Sequence, residues 1–366
     1  MNTEADYIII GAGIIGLAIA RELIHRNPGS SIVILEKEED VAMHSSGRNS
    51  GVLHAGFYYT ADSLKARFTK EGNKALTTYC DDNKLRINKN RKIVVARNEA
   101  ELQTLFELEK RGHKNGVDVN LIDEEQVKEI DPNVKTFKKG LFSPTTSTVD
   151  PTEICHCLKK ELISSGVTFM FSESYKRRQS ALTITTNQGN CITAKKKIIN
   201  CAGLYADKIA REYGFSKNYI IIPFKGIYLK YSGEKKILST NVYPVPNLNN
   251  PFLGVHYTVT VDNVVKIGPT AIPAFWRENY SGVKHFSVQE FLQVIGWESL
   301  LFLSNSFGFR KLAIDEIKKY HKKYFINLAR EMVFDLDETG FDNWTQPGIR
   351  AQLLHVKTKE LVQDFV

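Results

Sequence analysis

An apolar run, three glycines and a delayed acid open the chain: Asp6-Tyr-Ile-Ile-Ile-Gly11-Ala-Gly13-Ile-Ile-Gly16, with Glu36 following twenty residues later. Residues 7–10 predict a buried parallel strand and residues 14–25 the helix that follows it. In such a unit Gly11 permits the tight turn, Gly13 lets backbone approach a pyrophosphate, and Gly16 lets helix and strand pack closely. The start of the helix, Ile14 and Ile15, offers free N–H groups and a positive dipole end to phosphates. Residues 31–35 predict a second strand ending at Glu36, with Lys37 beside it. A carboxylate there accepts from an adenosine ribose and repels a 2′-phosphate, which disfavours NADP.

At 366 residues the chain is long enough for two domains and a large core. A hydrophobic content of 42% and a charged content of 25% are those of a globular protein. The net charge of +8 suits anionic metabolites or lipid. The lysines are scattered or in short clusters and no base-reading element accompanies them, so no nucleic acid partner is expected. Five cysteines (Cys80, Cys155, Cys157, Cys191, Cys201) form no CxxC pair, which predicts a reduced intracellular protein with no metal site. The apolar stretch 7–20 is too short to span a bilayer and nothing before it resembles a signal peptide. The expected location is cytoplasmic, or peripheral on the cytoplasmic membrane face.

Beyond the first unit, a polar loop, His44-Ser-Ser-Gly47-Arg48-Asn49-Ser50-Gly51, is long enough to run beside a bound cofactor. Its donors Ser45, Ser46, Arg48, Asn49 and Ser50 suit the phosphate and hydroxyl oxygens of such a cofactor. Helices are predicted over 62–82, from a cap at Asn98 to about 112, over 123–130 and over 151–164. Residues 167–172, 181–186 and 191–193 read as an antiparallel meander. A strand over 196–201 then leads into a helix at 204–213. Strands with aromatics and prolines follow at 220–223, 226–230, 242–246, 252–257 and 264–267. An apolar helix over 286–310, a basic helix over 315–332 and a final pair of short strands after Pro347 complete the pattern. The fold class expected is α/β: a Rossmann-like domain with an inserted mixed, largely antiparallel sheet and helices. Segments 1–90, 140–214 and 345–366 are assigned to the nucleotide domain, and 91–139 and 215–344 to the substrate domain.

Taken together, the fingerprint, the polar loop, the strand ending Asn200-Cys201-Ala202-Gly203 and a late Gly-Ile-Arg resemble the D-amino-acid oxidase superfamily of FAD enzymes. Five stretches are similar to the L-2-hydroxyglutarate dehydrogenase/oxidase family in particular. They are Asn49-Ser-Gly-Val-Leu-His54-Ala-Gly-Phe-Tyr-Tyr59, Pro223-Phe-Lys-Gly226-Ile-Tyr228, Tyr243-Pro-Val-Pro246, Pro251-Phe-Leu-Gly-Val-His256 and Gly348-Ile-Arg-Ala-Gln352. The resemblance implies FAD as cofactor, with Asn200, Cys201, Ala202 and Gly203 bringing backbone close to it. It implies oxidation of a 2-hydroxydicarboxylate, with quinone or oxygen as the final acceptor. His54 lies near the flavin in that likeness, and an imidazole titrates where a general base must; His256 is the alternative base or a substrate-side donor. Arg350 suits a carboxylate, which a guanidinium grips with two parallel bonds. Lys225 stands where relatives often carry arginine, so a point charge replaces a fork there. Tyr58, Tyr228 and Tyr257 are expected to line the pocket.

Two rivals stand beside this reading. One is a secondary-amine oxidase of the same superfamily, acting on glycine or sarcosine. The other is an inactive flavin- or partner-binding protein, suggested because the family pattern continues beyond residue 366. The apolar segment 286–303, followed by a lysine-rich helix, is read as a cover for the sheet or as a peripheral membrane contact that would hand electrons to quinone.

Overall fold

The computed structural model describes residues 2–246 and 254–365. The N-terminal apolar run forms the strand Asn2–Ile10, whose last four side chains are buried. It lies inside a six-stranded sheet ordered Tyr175–Arg178, Thr183–Thr186, Cys191–Asn200, Asn2–Ile10, Ile32–Leu35, Thr168–Met170. The last four run parallel and the first two add an antiparallel hairpin. Parallel strands need cover on both faces. Ile9, Ile32 and Ile34 meet Leu17 and Ala20 of the helix Ile14–Arg26, and Leu158 and Leu162 of the helix Pro151–Ser164. Ile8, Ile10, Val33 and Leu35 pack on the opposite face with Ile209 of the helix Ala206–Glu212. Each of these aliphatic side chains contributes about 1.5–3 kcal/mol on full burial.

One strand lies elsewhere than the meander predicts. Thr168–Met170 pairs parallel with Ile32–Leu35 at the far edge, and the basic segment Tyr175–Arg178 supplies the meander's outer strand. The preceding helix, Pro151–Ser164, returns the chain in the crossover sense that parallel pairing requires. A two-residue period carries no information about the partner.

The second sheet has eight strands, in order Phe341–Trp344, Leu229–Tyr231, Val265–Gly268, His256–Val259, Asn241–Pro244, Lys92–Val95, Lys139–Ser143, Asn120–Asp123. Its neighbours are antiparallel except for Asn241–Pro244 beside Lys92–Val95. Alternation divides its side chains. Ile93, Val95 and Tyr257 enter a core with Phe325 of the helix Lys322–Arg330. Val94, Leu141 and Tyr243 face Phe57 and Leu105, the latter from the helix Glu99–Lys114. Of the strand expected over 252–257, residues 252–253 lie outside the described residues.

A four-stranded sheet, Ile272–Pro273, Tyr219–Gly226, Gly348–His355, Glu360–Leu361, is backed by the helices Val288–Ser304 and Phe309–Lys318. The first of these ends earlier than its apolar pattern suggests, because Asn305 turns left-handed at φ 49°. The basic stretch 315–332 is two helices: bonds from Lys319, Tyr320 and His321 N–H to carbonyls three residues back close the first before Lys322–Arg330 begins. Arg277, 1% exposed, donates to both oxygens of the buried Asp207 at 2.6 and 2.9 Å and to the Leu204 carbonyl. This pair ties the segment before Val288–Ser304 to the first sheet's flank. Among the described residues no helix is long and apolar enough to cross a membrane.

Candidate active site

A cavity of about 840 Å³ opens at the carboxyl ends of the central parallel strands, where Ile10, Leu35 and Cys201 line it. Open α/β sheets bind ligands at this place. Gly11 has φ +107°, and a Cβ there would overlap the Cys201 carbonyl; a Cβ at Gly16 would overlap the Gly11 carbonyl. Gly16 thus packs behind the turn, while Gly11, Gly13, Ile14 and Ile15 line the cavity. Ile14 N–H donates to Ser46 Oγ (3.0 Å). Glu36 is buried; its Oε2 accepts from Ala12 N–H (2.7 Å) and its Oε1 from Glu38 N–H (3.0 Å). A carboxylate retains further acceptor sites beyond these two.

The polar loop braces itself before it reaches the cavity. Asn49 Nδ2 donates to the Ser45 and Ser46 carbonyls (3.1 and 2.8 Å) and Asn49 Oδ1 accepts from Gly51 N–H (2.8 Å). Ser45 Oγ donates to the Ile349 carbonyl (2.8 Å), joining residues far apart in sequence. Arg48 donates to the Met43 carbonyl and lies over the Tyr280 ring at 4.4 Å. Lys37, Ser45, Ser46, Arg48, Asn49, Cys201, Ala202, Gly203 and Arg350 all line the cavity. Ser50 and Asn200 do not. Asn200 instead shapes the turn, donating to the Ala206 carbonyl and accepting from Ala202 N–H. Beside Lys37, its ammonium bridges Glu38 (2.5 Å) and Glu278 (2.7 Å), and His44 completes that cluster.

Behind Arg350 and Tyr228, which both line the cavity, sits a buried polar cluster. His54 follows the short strand Val52–Leu53, which a three-stranded ladder holds in place. Its Nδ1 lies 3.0 Å from Lys92 Nζ. Lys92 opens a strand yet is fully buried, on the face that carries Val94 and Tyr243. The His256 ring stacks on Tyr243 at 3.7 Å, and Tyr243 meets His54 edge-on at 6.0 Å. His256 Nδ1 is 2.9 Å from the Gly254 carbonyl, which requires a proton on that nitrogen and leaves Nε2 as acceptor. Burial pushes His54 well below the ordinary imidazole range, and the charges of Lys92, His256 and Arg350 add to that. His256 is pushed down to about 3, chiefly by burial. Both rings are therefore neutral near pH 7. The Tyr58 hydroxyl is buried with no hydrogen-bond partner among the described residues.

The structure thus puts Arg350 on the cavity wall and gathers His54, His256 and Tyr58 around Lys92 and Tyr243, outside that lining, and it leaves two further expected residues aside. Tyr257 points into the core on the other face of its sheet. Lys225 donates to Asn279 Oδ1 (3.1 Å) and does not line the cavity. Lys92 is the residue that sequence reasoning missed. A lysine opening an apolar run reads as a strand end reaching for solvent.

Residues 6–351 match the family model described as FAD dependent oxidoreductase. The chain belongs to this family. It is 36% identical over 387 residues to "L-2-hydroxyglutarate dehydrogenase, mitochondrial" of Nematostella vectensis, spanning 99% of this chain and 82% of that protein. It is 33% identical over 373 residues to L-2-hydroxyglutarate dehydrogenase of Escherichia coli K12, spanning 99% and 85%. Among solved structures, the fold is similar to dithionite-reduced L-α-glycerophosphate oxidase from Mycoplasma pneumoniae with FAD bound (TM-score 0.74, 23% identity, 99% and 85% covered). It is also similar to glycine oxidase from Geobacillus kaustophilus (TM-score 0.70, 18% identity, 96% and 83% covered). At those identities the two structures speak for the fold alone.

As an FAD-dependent oxidoreductase, the chain must hold a dinucleotide, and the residues present fit one. A Cβ at position 13 would lie 2.9 Å from Ser46 Oγ, so the glycine keeps a cradle open between the helix start and the polar loop. The cavity joins apolar walls to convergent polar groups such as Glu36, Ser46, Arg48 and Asn49, as a cofactor site does. The enzyme class is an FAD-dependent dehydrogenase acting on a CH–OH group.

Proposed function

We propose that this protein oxidises the hydroxyl of L-2-hydroxyglutarate to the keto group of 2-oxoglutarate. The observation that carries the substrate is the likeness, over 99% of the chain, to dehydrogenases named for it. The site supports it in kind. Gly11, Gly13, Ile14, Ile15 and Glu36 would hold the pyrophosphate and ribose, the 45–49 loop the ribityl region, and Cys201–Gly203 the backbone side of the ring. Bound FAD supplies the two-electron acceptor for the hydrogen on the substrate's C2. Arg350 clamps a carboxylate with its planar fork. His54, neutral and next to Arg350, accepts the hydroxyl proton; His256 stands as the alternative through its bare Nε2. The apolar wall and the buried tyrosines keep water out, which strengthens each polar contact inside. The six-stranded sheet with its flanks serves as the cofactor domain (1–90, 140–214, 345–366), and 91–139 with 215–344 as the substrate domain.

The test is the visible spectrum of the purified protein without oxygen. Bleaching of the flavin band by L-2-hydroxyglutarate, but not by the D isomer or sarcosine, is the expected result. A yellow protein that the L isomer leaves unbleached would sink the substrate assignment. For the acceptor we infer quinone or oxygen. Quinone at a membrane face is supported by the outward stripe of Val288–Ser304, where Leu292 and Leu303 are 64% and 71% exposed, beside a basic helix pair. Co-sedimentation with anionic but not neutral vesicles is expected; binding to neither, or equally to both, would contradict it.

A further inference from the structure

We propose that Lys92 is a positioning residue for the oxidation, its Nζ holding His54 Nδ1 and taking up that nitrogen's proton as His54 Nε2 receives the substrate's hydroxyl proton. This rests on the reading of His54 above. The 3.0 Å contact between Nζ and Nδ1 admits two arrangements. An ammonium donates to Nδ1, which places the imidazole's one proton on Nε2 and makes His54 a donor. A neutral amine accepts from Nδ1–H, which leaves Nε2 bare. Only the second arrangement makes His54 a base.

The surroundings keep both arrangements within reach. Lys92 is 0% exposed, with Ser143 and Asn241 as its neighbours on the two flanking strands. Removal from water favours the amine. The ring faces of Tyr243, Tyr58 and Phe57, at 4.4, 5.0 and 5.3 Å from Nζ, favour the ammonium. Among the described residues no carboxylate forms an ion pair with it, and the other titratable or positive groups of the cluster are His54, His256 on the strand beyond Asn241–Pro244, and Arg350, whose charge acts on His54. Burial brings the amine down to about 7, so the accepting form is populated at neutral pH.

The relay resolves a difficulty that His54 has alone. Burial, together with the charge of Arg350, makes an imidazolium there very unfavourable. With Lys92, the hydroxyl proton moves to Nε2 and the Nδ1 proton to Nζ, while the C2 hydrogen leaves with its electron pair to the flavin. The products are a ketone, a neutral His54 whose proton has changed nitrogen, and a lysine ammonium. No buried imidazolium is formed.

Two measurements decide it. In protein labelled with ¹⁵N-histidine, with His54 assigned by a His54→Gln spectrum, the Nδ1-protonated tautomer should grow between about pH 6 and about pH 9. This readout needs no turnover and no correct substrate. A His54 tautomer that stays constant over that range would overturn the proposal, whether or not the substrate assignment holds. In kinetics, Lys92→Met should lower kcat about 10²-fold or more, with KM changed far less, and should abolish the rise of kcat through neutral pH that deprotonation of Lys92 gives the wild type. Lys92→Arg, permanently charged and only a donor, should fail to restore it. A wild-type rate in Lys92→Arg would overturn the relay. Failure of L-2-hydroxyglutarate to bleach the wild type would overturn the substrate alone.

Discussion

Gly16 does its work away from any ligand: its hydrogen faces the Gly11 carbonyl, and a methyl there would strike that oxygen and Ile9. Gly16→Ala is expected to push the first turn out of shape, at about 1–3 kcal/mol for forced overpacking, and to release the cofactor. A purified variant should show less visible flavin absorbance per chain and a lower melting temperature. At this scale the glycines were legible from the sequence because spacing and φ requirements are local. His54 and Arg350 emerged only through family likeness, since a lone histidine in an apolar run is usually core. Lys92 left no signal: its value depends on Asn241, Tyr243 and His54 arriving from distant segments. Tyr257 and Tyr243 sit on opposite faces of neighbouring strands, and nothing in a Tyr-rich strand pattern says which face will meet the cavity.

At the scale of elements, the buried Asp207 is the joint between the helix Ala206–Glu212 and the chain before Val288–Ser304. It accepts from Arg277, Arg211 and the Ile221 backbone. Removing Arg277 strips one partner from a carboxylate with no exposed atoms. Arg277→Met should therefore destabilise by about 3 kcal/mol or somewhat less, since Arg211 remains. Adding Asp207→Asn should recover part of that loss, and denaturant midpoints of the single and double variants check it. The elements themselves were largely readable. Helix 151–164 follows from Asp150 as cap and Pro151 in the first turn, with Thr152 and Glu153 N–H bonded to Asp150. What failed was pairing and continuity. The strand at 168–170 has no sequence mark of its parallel partner. The helix over 315–332 is interrupted by backbone bonding that residue periodicity cannot register.

For the molecule as a whole, the buried histidine pair sets the acid limit. Both His54 and His256 have folded-state values below the ordinary 6.5. Between the two values the unfolded chain binds more protons, so stability falls as pH drops below about 6.5 and continues to fall toward about 3. His256→Gln, which cannot take up that proton, should flatten the loss by an amount on the order of a few kcal/mol by pH 4. Urea midpoints at a series of pH values give the comparison. A wild type equally stable at pH 7 and about pH 4 would show that these rings are not buried neutral.

The hydrogen bond from Ser45 to the Ile349 carbonyl has a consequence for biosynthesis. The cavity draws its walls from Ile10 at one extreme and Ala351 at the other. At a ribosomal pace of about 5–20 residues per second, the last wall emerges roughly 17 to 70 s after the first. The glycine turn is therefore finished long before there is a chamber for a flavin. Until then the chain carries an open, apolar half-site, so a complete chamber for the cofactor arises late in synthesis and closes the fold rather than seeding it.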